Sequence, residues 1–358
     1  MALNKKIYSF VLYIFLINLV FFLIKFSTNH AYGKTYKVKN VEIIEPYEIN
    51  FNKSEVIDKA INKGFQELML KITSSKYEKR LTNVNLKEIK NLVHSFSITD
   101  EKFINNKYFV NFNIDFNQKS TLRYLEKKNI FSSLPIEKKI FILPILIDLE
   151  ANETSLFSEN VFYNNWNQIN EKYFLLQYIL PNEDLEDINL LRNKIDDIED
   201  HEFNEIISKY DLNDFIIVIF FKNKNMLRVL SKVKLNNNFS VLNKMFENVE
   251  IEEKQDYEKI ISELKKTYED QWKNQNLINS SIKLPINVYV DSKNYDLINK
   301  FEKKISDQDL ISNYFIYKFD KNKIIYKLIY NSTPDKFLSE FKSSGFVIDT
   351  SSEIWQIK

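Results

Sequence analysis

The amino-acid sequence predicts a mixed α+β protein made of several small modules. Amphipathic helix patterns and short strand patterns succeed one another along the chain. The 358 residues are too many for one ordinary small domain. Hydrophobic residues at 44% and charged residues at 28% are typical of a globular protein. We expect a signal peptide or membrane anchor at 1–33, an N-terminal α+β domain at 34–134, a central mixed α/β domain at 135–280 and a C-terminal ferredoxin-like module at 281–358.

The first 33 residues have the pattern of a secretory signal. Lys5 and Lys6 precede an apolar run from Ile7 to Ile24, and small residues stand at Ala31 and Gly33. As a helix the run would be about 27 Å long, close to the roughly 30 Å of a bilayer core. Two alternatives therefore stay open, namely cleavage after Gly33 and retention as an anchor. Both place the rest of the chain outside the cytoplasm.

The N-terminal module is predicted to begin with a strand over Tyr36–Ile44 and a long helix. Apolar residues recur at helical spacing from Val56 to Ile72, and Asn52 with Glu55 has the form of a capping box. Gly64 lies within the apolar face, where a glycine allows close packing. One face of this helix is therefore expected to be buried.

A second helix is predicted over Leu86–Phe96, with Asn85 and Glu88 as its cap and His94 beside its apolar face. The pair Asn105-Asn106 then predicts a tight hairpin turn, because asparagine accepts positive φ angles. The elements expected around and after this turn are strands over Ser97–Ile104 and Lys107–Phe116 and a short helix over Ser120–Lys128.

The central module is predicted around a strand over Lys139–Asp148, whose continuous apolar run is typical of a strand covered on both faces. Pro144 within it indicates an edge position or a bulge. The other elements expected are helices over Ser158–Tyr173, Leu185–Leu191, Glu202–Tyr210 and Gln255–Asn276, and strands over Phe174–Leu180, Phe215–Phe221, Met226–Leu235 and Phe239–Phe246.

The C-terminal module has the clearest order of elements. Thr333-Pro334 has the form of a helix start and Gly345 of a helix end. The elements expected are strands over Pro285–Val290, Ser312–Phe319, Lys323–Tyr330, Phe346–Asp349 and Glu353–Ile357, and helices over Ser292–Ser306 and from Thr333. This βαββαβ order, with one further strand, predicts a ferredoxin-like split-βαβ module.

Four segments of the chain resemble segments of a known protein family. They are the helix Ala60–Thr73, the strand Lys107–Phe116 with the helix Leu122–Leu125 after it, the strand built on Ile142-Leu143-Pro144, and the helix, turn and strand of Ile206–Phe221. In these segments the chain resembles an uncharacterised family of bacterial envelope proteins, domain of unknown function 2066. Ser74-Ser75 and Phe131 stand where that family usually has glycine and tryptophan. The resemblance implies the periplasm, or the periplasmic face of the inner membrane, of a Gram-negative bacterium, and it implies no particular reaction.

Composition excludes several classes of function. A net charge of +1 argues against a nucleic-acid binder, and the absence of cysteine excludes disulfides and thiolate chemistry. Beyond Gly33 only Gly64 and Gly345 remain, so a phosphate-binding loop or a nucleophile elbow cannot be formed. We therefore expect no catalytic, cofactor-binding or metal-binding residues, and no cofactor.

One cluster has the residue types for metal binding. It surrounds His201 and comprises Asp196, Asp197, Glu199, Asp200, Glu202 and Glu205. Acidic residues are also expected at the start of a helix, because they interact favourably with its dipole. A solvated helix start is the favoured interpretation. Trp166, Trp272 and Trp355 lie on apolar stripes or in a strand, which favours core packing over a ligand cleft.

These observations lead to a hypothesis of an exported, non-enzymatic accessory or scaffold protein that binds another envelope protein. Two alternatives stay open, namely a periplasmic hydrolase that uses acidic residues and a module that binds peptidoglycan or lipid. Contact with the membrane is expected only through Ile7–Ile24, if that segment is not cleaved. No nucleic-acid partner is expected.

Overall fold

The computed structural model describes residues 34–236, 238–278 and 282–358 of the chain. The predicted leader over 1–33 lies outside the described residues, as do both alternatives for its fate. Within the described residues the chain is a mixed α+β protein with four sheets, as the sequence predicts. Each of the three modules has its own hydrophobic core, and the central module has one core on each face of its sheet.

The N-terminal module packs its helices on one face of a three-stranded antiparallel sheet. Its elements are β1 (Thr35–Pro46), α1 (Lys53–Ile72), α2 (Glu78–Thr82), α3 (Leu86–Lys90), β2 (Val93–Ile104), β3 (Lys107–Asn117) and α4 (Gln118–Lys127). β3 lies between β1 and β2, and its alternate residues from Tyr108 to Phe116 are buried with the apolar face of α1. Gly64 faces this sheet, where a Cβ would lie 2.8 Å from the Ile114 Cδ1. The glycine therefore serves packing, as predicted.

The helix predicted over Leu86–Phe96 is wrong beyond Lys90. The helix ends there, and β2 begins at Val93, so that His94 lies on an exposed strand. A bulge between Val93 and Ser95 places Val93 and Phe96 on the same face of the sheet, opposite Phe116 and Ile114. An extra residue in a strand thus reproduces the i, i+3 spacing of a helix, which explains the error.

The central module is a six-stranded mixed sheet covered on both faces. Its elements are β5 (Lys138–Asp148), β6 (Glu153–Ser155), α5 (Val161–Asn165), β7 (Leu176–Ile179), α6 (Leu185–Arg192), α7 (Asn204–Ile207), β8 (Phe215–Asn223), β9 (Met226–Leu235), β10 (Asn238–Glu247) and α8 (Lys254–Gln275), preceded by the two-residue strand β4 (Ser132–Ser133). The order along the sheet is β10-β9-β8-β5-β6, with β7 also paired to β5. The long helix α8 packs on one face, and α6 and α7 pack on the other.

Pro144 lies on a strand inside the sheet and forms no bulge, but one side of β5 is unpaired at Pro144, so the predicted edge position is correct locally. β5 pairs with β8 in unbroken parallel register from Phe141 to Asp148. On the other side of β5, β7 pairs with residues 138–141 and β6 pairs with residues 146–148. Pro144 falls in the gap between them, so its missing N–H does not cost the sheet an inter-strand hydrogen bond. Its carbonyl accepts a hydrogen bond from the Asn160 Nδ2 (3.1 Å).

The long helix predicted over Ser158–Tyr173 is broken into short pieces. α5 is followed by a 3₁₀ turn over Trp166–Gln168, and the segment from 169 to 173 contains no helix. The Lys265 Nζ donates to the Ile169 carbonyl and the Lys172 Nζ donates to the Asn40 carbonyl, so this segment is held by distant parts of the chain. Such contacts are invisible to a local pattern.

The C-terminal module is a five-stranded sheet with two helices on one face. Its elements are β12 (Leu284–Asp291), α9 (Tyr295–Asp307), β13 (Ile311–Phe319), β14 (Lys323–Tyr330), α10 (Pro334–Ser343), β15 (Ile348–Asp349) and β16 (Trp355–Ile357), preceded by β11 (Leu277–Ile278). The order is β13-β14-β12-β16-β15. The βαββαβ order is present, with one departure from a four-stranded ferredoxin-like sheet: β15 lies outermost, and β16 returns between it and β12, parallel to β12.

The N-terminal and C-terminal modules share one topology. Each runs from a first strand through helix to two strands and a further helix, and in each the third strand lies antiparallel between the first and the second. The second strand, β2 or β13, is therefore a free edge in both modules, and each carries two bulges. A common topology thus leaves a strand edge open at equivalent places.

Candidate protein-binding surface

The most unusual surface among the described residues is the β13 edge, which we define as residues Ile311–Phe319. β13 pairs with β14 alone among the described strands, so its other side carries unpaired backbone N–H and C=O groups. Its five exposed large apolar residues are the consecutive Tyr314, Phe315, Ile316 and Tyr317 and, after Lys318, Phe319. They are between 39% and 70% exposed. Strand residues of this kind are usually buried on at least one face.

The two faces of the β13 edge differ in their surroundings. Tyr314, Ile316 and Phe319 pair with buried residues of β14 and lie on the face that carries the helices. Phe301 of α9 packs against Tyr326 of β14, and Phe337 of α10 packs against Tyr330 of β14 and Trp355 of β16, whereas the large side chains of β13 stay exposed. The helix-side face of β13 therefore ends in an exposed apolar row.

The opposite, helix-free face of the β13 edge carries Phe315 between two lysines. Phe315 lies opposite Lys327 of β14, and Lys318 lies opposite Ile325 on the same face. Neither lysine forms an ion pair with any described residue. This face thus combines one exposed aromatic ring with uncompensated positive charge.

The turn that joins β13 to β14 is held by Asp320. Its Oδ1 accepts hydrogen bonds from the backbone amides of Asn322 and Lys323, both at 3.0 Å. These bonds, together with the nearby lysines, hold the pKa of the Asp320 carboxyl below its usual range. The hairpin is therefore closed locally, and the β13 edge has a defined orientation relative to β14.

Two other free edges, β2 and β10, expose their apolar residues less continuously. β2 exposes Phe96, Ile98 and Phe103, but three charged residues, Asp100 to Lys102, interrupt them. β10 exposes Phe239, Val241 and Met245 on one face only. Charged residues on an edge strand discourage pairing with another chain, and in the β13 edge the run Tyr314 to Tyr317 contains none.

A second polar region lies where α8 meets the N-terminal module. Lys265, Glu269 and Lys273 follow one another at four-residue spacing on α8, and all three are buried. The Glu269 Oε1 accepts from the Leu175 and Leu176 amides (2.9 and 2.7 Å), and the Lys273 Nζ donates to the Leu70 carbonyl at the end of α1. These charges satisfy backbone groups of other segments, as buried charges must.

Burial changes the proton affinities of these groups. Desolvation raises the pKa of the Glu269 carboxyl and lowers the pKa of the Lys273 amine. It lowers the pKa of Lys265 to about 8, an effect that the nearby Glu269 partly offsets. The adjoining cavity, about 30 Å³ and lined by residues of α1 and α8, is large enough for only one or two water molecules. This region is therefore suited to joining modules.

The acidic run around His201 is dispersed. Glu199 pairs with Arg228, the Glu202 Oε2 accepts from the Asn204 Nδ2 (2.9 Å), and His201 packs against Phe203. Within residues 34–236, 238–278 and 282–358, no group of three or more His, Asp or Glu is placed to hold a metal ion. The predicted helix start also shifts, because α7 begins at Asn204 and only Glu205 lies in its first turn.

The three tryptophans are packing residues, as the sequence predicts. Trp166 and Trp272 are buried in the core beside α8, and the Trp272 Nε1 donates to the Ile136 carbonyl (2.6 Å). Trp355 is partly buried against the C-terminal core. None of them marks a ligand cleft.

Sequence reasoning predicted β13 as a strand but did not identify it as a surface. The signal was the run Tyr314 to Tyr317, which has no polar residue between its large side chains. Such a run is ambiguous, because a strand buried on both faces has the same composition. Only the position of the strand in the sheet distinguishes the two.

Comparison with known proteins adds no family to this picture. No protein-family model matches the chain, and no curated protein matches it. The resemblance to domain of unknown function 2066 thus stays a prediction. In the part of the chain that the structure describes, no helix is long and apolar enough to cross a membrane.

Proposed function

We propose that the chain is an exported, non-enzymatic protein that binds another protein of the cell envelope. The proposal identifies the β13 edge as the binding surface, where an extended segment of the partner would add a strand to the sheet. The observation that supports it is the coincidence of an unpaired strand edge with five exposed large side chains. Strand addition of this kind obtains affinity from backbone hydrogen bonds and specificity from side-chain contacts.

An estimate of the energies explains why the aromatic side chains matter. In a strand of nine residues about half of the backbone groups point outward, and each net hydrogen bond contributes about 0.5–1.5 kcal/mol. Association itself costs roughly 4–15 kcal/mol. Backbone pairing alone therefore gives a binding free energy close to zero. Contacts with Tyr314, Ile316, Tyr317 and Phe319 would supply the surplus.

A site-specific photocrosslink tests the surface directly. We expect a benzophenone side chain at Tyr317 to capture a single partner protein in the intact envelope in near-stoichiometric amount. Tyr295 is the matched control, because it is another exposed tyrosine of the same module, on α9 and away from the edge. Capture of the same protein from both positions, or none from Tyr317, would contradict the proposal.

A double substitution tests the same surface without a probe. Ile316→Ser with Phe319→Ser removes exposed apolar side chains and should weaken capture by about tenfold or more, as for central contacts of an interface. Because both residues are exposed, the free energy of unfolding should change by roughly 1 kcal/mol or less. Tyr295→Ser should leave capture unchanged. Equal capture by both variants would argue that another surface binds the partner.

A further inference from the structure

We infer that the segment which pairs with the β13 edge alternates apolar and acidic residues. The inference rests on the proposed strand addition and names the chemistry of the partner. It follows from the difference between the two faces of β13. Successive side chains of any added strand point to opposite faces of the sheet, so each face of β13 selects every second residue of the partner.

The helix-side face selects apolar residues. An added strand would place alternate side chains beside Tyr314, Ile316 and Phe319, which already form an exposed apolar row. A charged side chain there would lose part of its hydration against these three neighbours, and the Glu302 carboxylate, which accepts from the Tyr326 hydroxyl (2.7 Å), would in addition repel an acidic one. Aliphatic or aromatic residues are the side chains that fit.

The helix-free face selects carboxylates. Lys318 is exposed and Lys327 is half-buried beside Phe315, and neither has an ion-pair partner among the described residues. Their strand neighbours on this face, Asn313 and Asn287, carry no charge. Acidic residues of an added strand would therefore face two ammonium groups that form no ion pair with a described residue.

Two acidic residues of the module lie near this face, at the hairpin end of the sheet. Asp291 stands opposite Lys323. Asp320 accepts from its own turn amides and interacts favourably with the nearby Lys318. The positive charge that these carboxylates leave uncompensated is therefore centred on Lys327, in the middle of β14 and beside Phe315 of the β13 edge.

The charges should act more on selectivity than on affinity. Exposed ion pairs are individually weak, but like charges across an interface are strongly disfavoured and opposite charges speed association. Discrimination between acidic and basic segments should consequently decline as salt is added, because exposed charges are screened.

Peptide binding to the whole chain in mild detergent tests the inference. The probes are three labelled ten-residue peptides: one that alternates valine and glutamate, one that alternates valine and lysine, and a non-alternating isomer of the first. By fluorescence anisotropy we expect the alternating acidic peptide to bind at least about fivefold more tightly than either of the others at 50 mM salt. The preference over the basic peptide should shrink at 500 mM salt.

Charge reversal supplies the decisive variant. Lys318→Glu with Lys327→Glu should reverse the order of the acidic and basic peptides, whereas Lys293→Glu with Lys300→Glu, elsewhere on the same module, should leave it unchanged. Because a merely unfolded variant would lose both peptides, reversal cannot arise from misfolding. The Ile316→Ser and Phe319→Ser variant should weaken every peptide.

The outcomes separate the inference from the proposed function. Equal binding of acidic and basic peptides, with loss in the Ile316→Ser and Phe319→Ser variant, would overturn the acidic partner and keep strand addition. No peptide binding, together with no capture at Tyr317, would overturn both. A concentration-dependent dimer in sedimentation that the serine variant abolishes would identify a second copy of the chain as the occupant, and would equally overturn the acidic partner.

Discussion

At the scale of single residues, helix starts are the features that sequence reasoning predicted best. Asn52 accepts from the Ser54 amide, Asn85 from the Lys87 amide and Thr333 from the Lys336 amide. Each was expected, because a cap depends on residues only a few positions apart. By contrast, the buried charges of α8 were not expected. Their partners are at least 90 residues away in the sequence.

Lys265 offers a test of the cost of such burial. Its pKa of about 8 lies below the ordinary value of 10.5, so below about pH 8 the folded chain holds a buried ammonium group. One pKa unit corresponds to about 1.4 kcal/mol, so removing the charge should recover up to about 3 kcal/mol, less roughly 1 kcal/mol for the unpaired Ile169 carbonyl. We expect Lys265→Met to raise the free energy of unfolding at pH 7.

The pH dependence of the free energy of unfolding tests whether the buried charge of Lys265 causes this effect. Between about pH 8 and 10.5 the unfolded chain keeps the Lys265 proton while the folded chain releases it, so the contribution of Lys265 to the free energy of unfolding should rise with pH in this window. The advantage of Lys265→Met should shrink over the same window in denaturant unfolding. Lys266→Met, at the more exposed next position, controls for the loss of a lysine. A constant advantage from pH 7 to 10.5 would show that the buried charge is not its source.

At the scale of elements, the sequence predicted most strands and helices within a few residues. The strands Met226–Leu235 and Lys323–Tyr330 have the predicted bounds. Each failure has an identifiable cause. A bulge at His94 gave a strand the spacing of a helix, and distant hydrogen bonds replaced helix after Gln168. Both causes depend on pairing with residues that a local pattern does not contain.

The Asn160 side chain supports the middle of the β5 strand, and its contribution to the free energy of unfolding can be measured. The fully buried Asn160 caps α5, where its Oδ1 accepts from the Phe162 amide (2.9 Å), and its Nδ2 donates to the Pro144 carbonyl. Asn160→Ala would leave these buried groups unpaired, at about 1–3 kcal/mol for each group. We expect a loss of roughly 2–4 kcal/mol in the free energy of unfolding.

Asn52→Ala is the matched comparison for that substitution. Asn52 also caps a helix, but it is exposed, so water can replace its hydrogen bonds. The expected loss is only about 1 kcal/mol. Equal losses for the two variants in urea unfolding would contradict the role given to Asn160 in filling the gap between β6 and β7.

At the scale of the whole molecule, α8 joins the N-terminal and central modules. The Asp270 Oδ1 accepts from the Ser75 amide (2.8 Å), and Lys273 reaches the end of α1. β4 and β11 pair beside this contact, and Thr73 bridges to Ser132. The C-terminal end of α1 is therefore held by residues some 200 positions away.

Asp270→Ala should loosen this contact without damage to either core. We expect amide hydrogen exchange over residues 69–77 to become about tenfold faster or more, since the Ser75 amide loses its acceptor at about 1–3 kcal/mol. Asp58→Ala, which removes an ion pair with Lys90 inside the N-terminal module, should leave that segment unchanged. Equal acceleration in both variants would show that the segment depends on the stability of its own module instead.

The sequence by itself determined the class of the fold, the caps and the lack of cysteine and of glycine-rich motifs. These features follow from composition and from residue spacings shorter than one element. Neither depends on how distant segments of the chain pack. The tertiary structure alone decided that the run Tyr314 to Tyr317 lies at an edge, that Pro144 lies in a gap, and that the two outer modules share one topology. Each of these depends on which strands become neighbours. A strand carries the same side chains whether its edge is paired or free, so exposure of the β13 edge is a property of the assembled sheet.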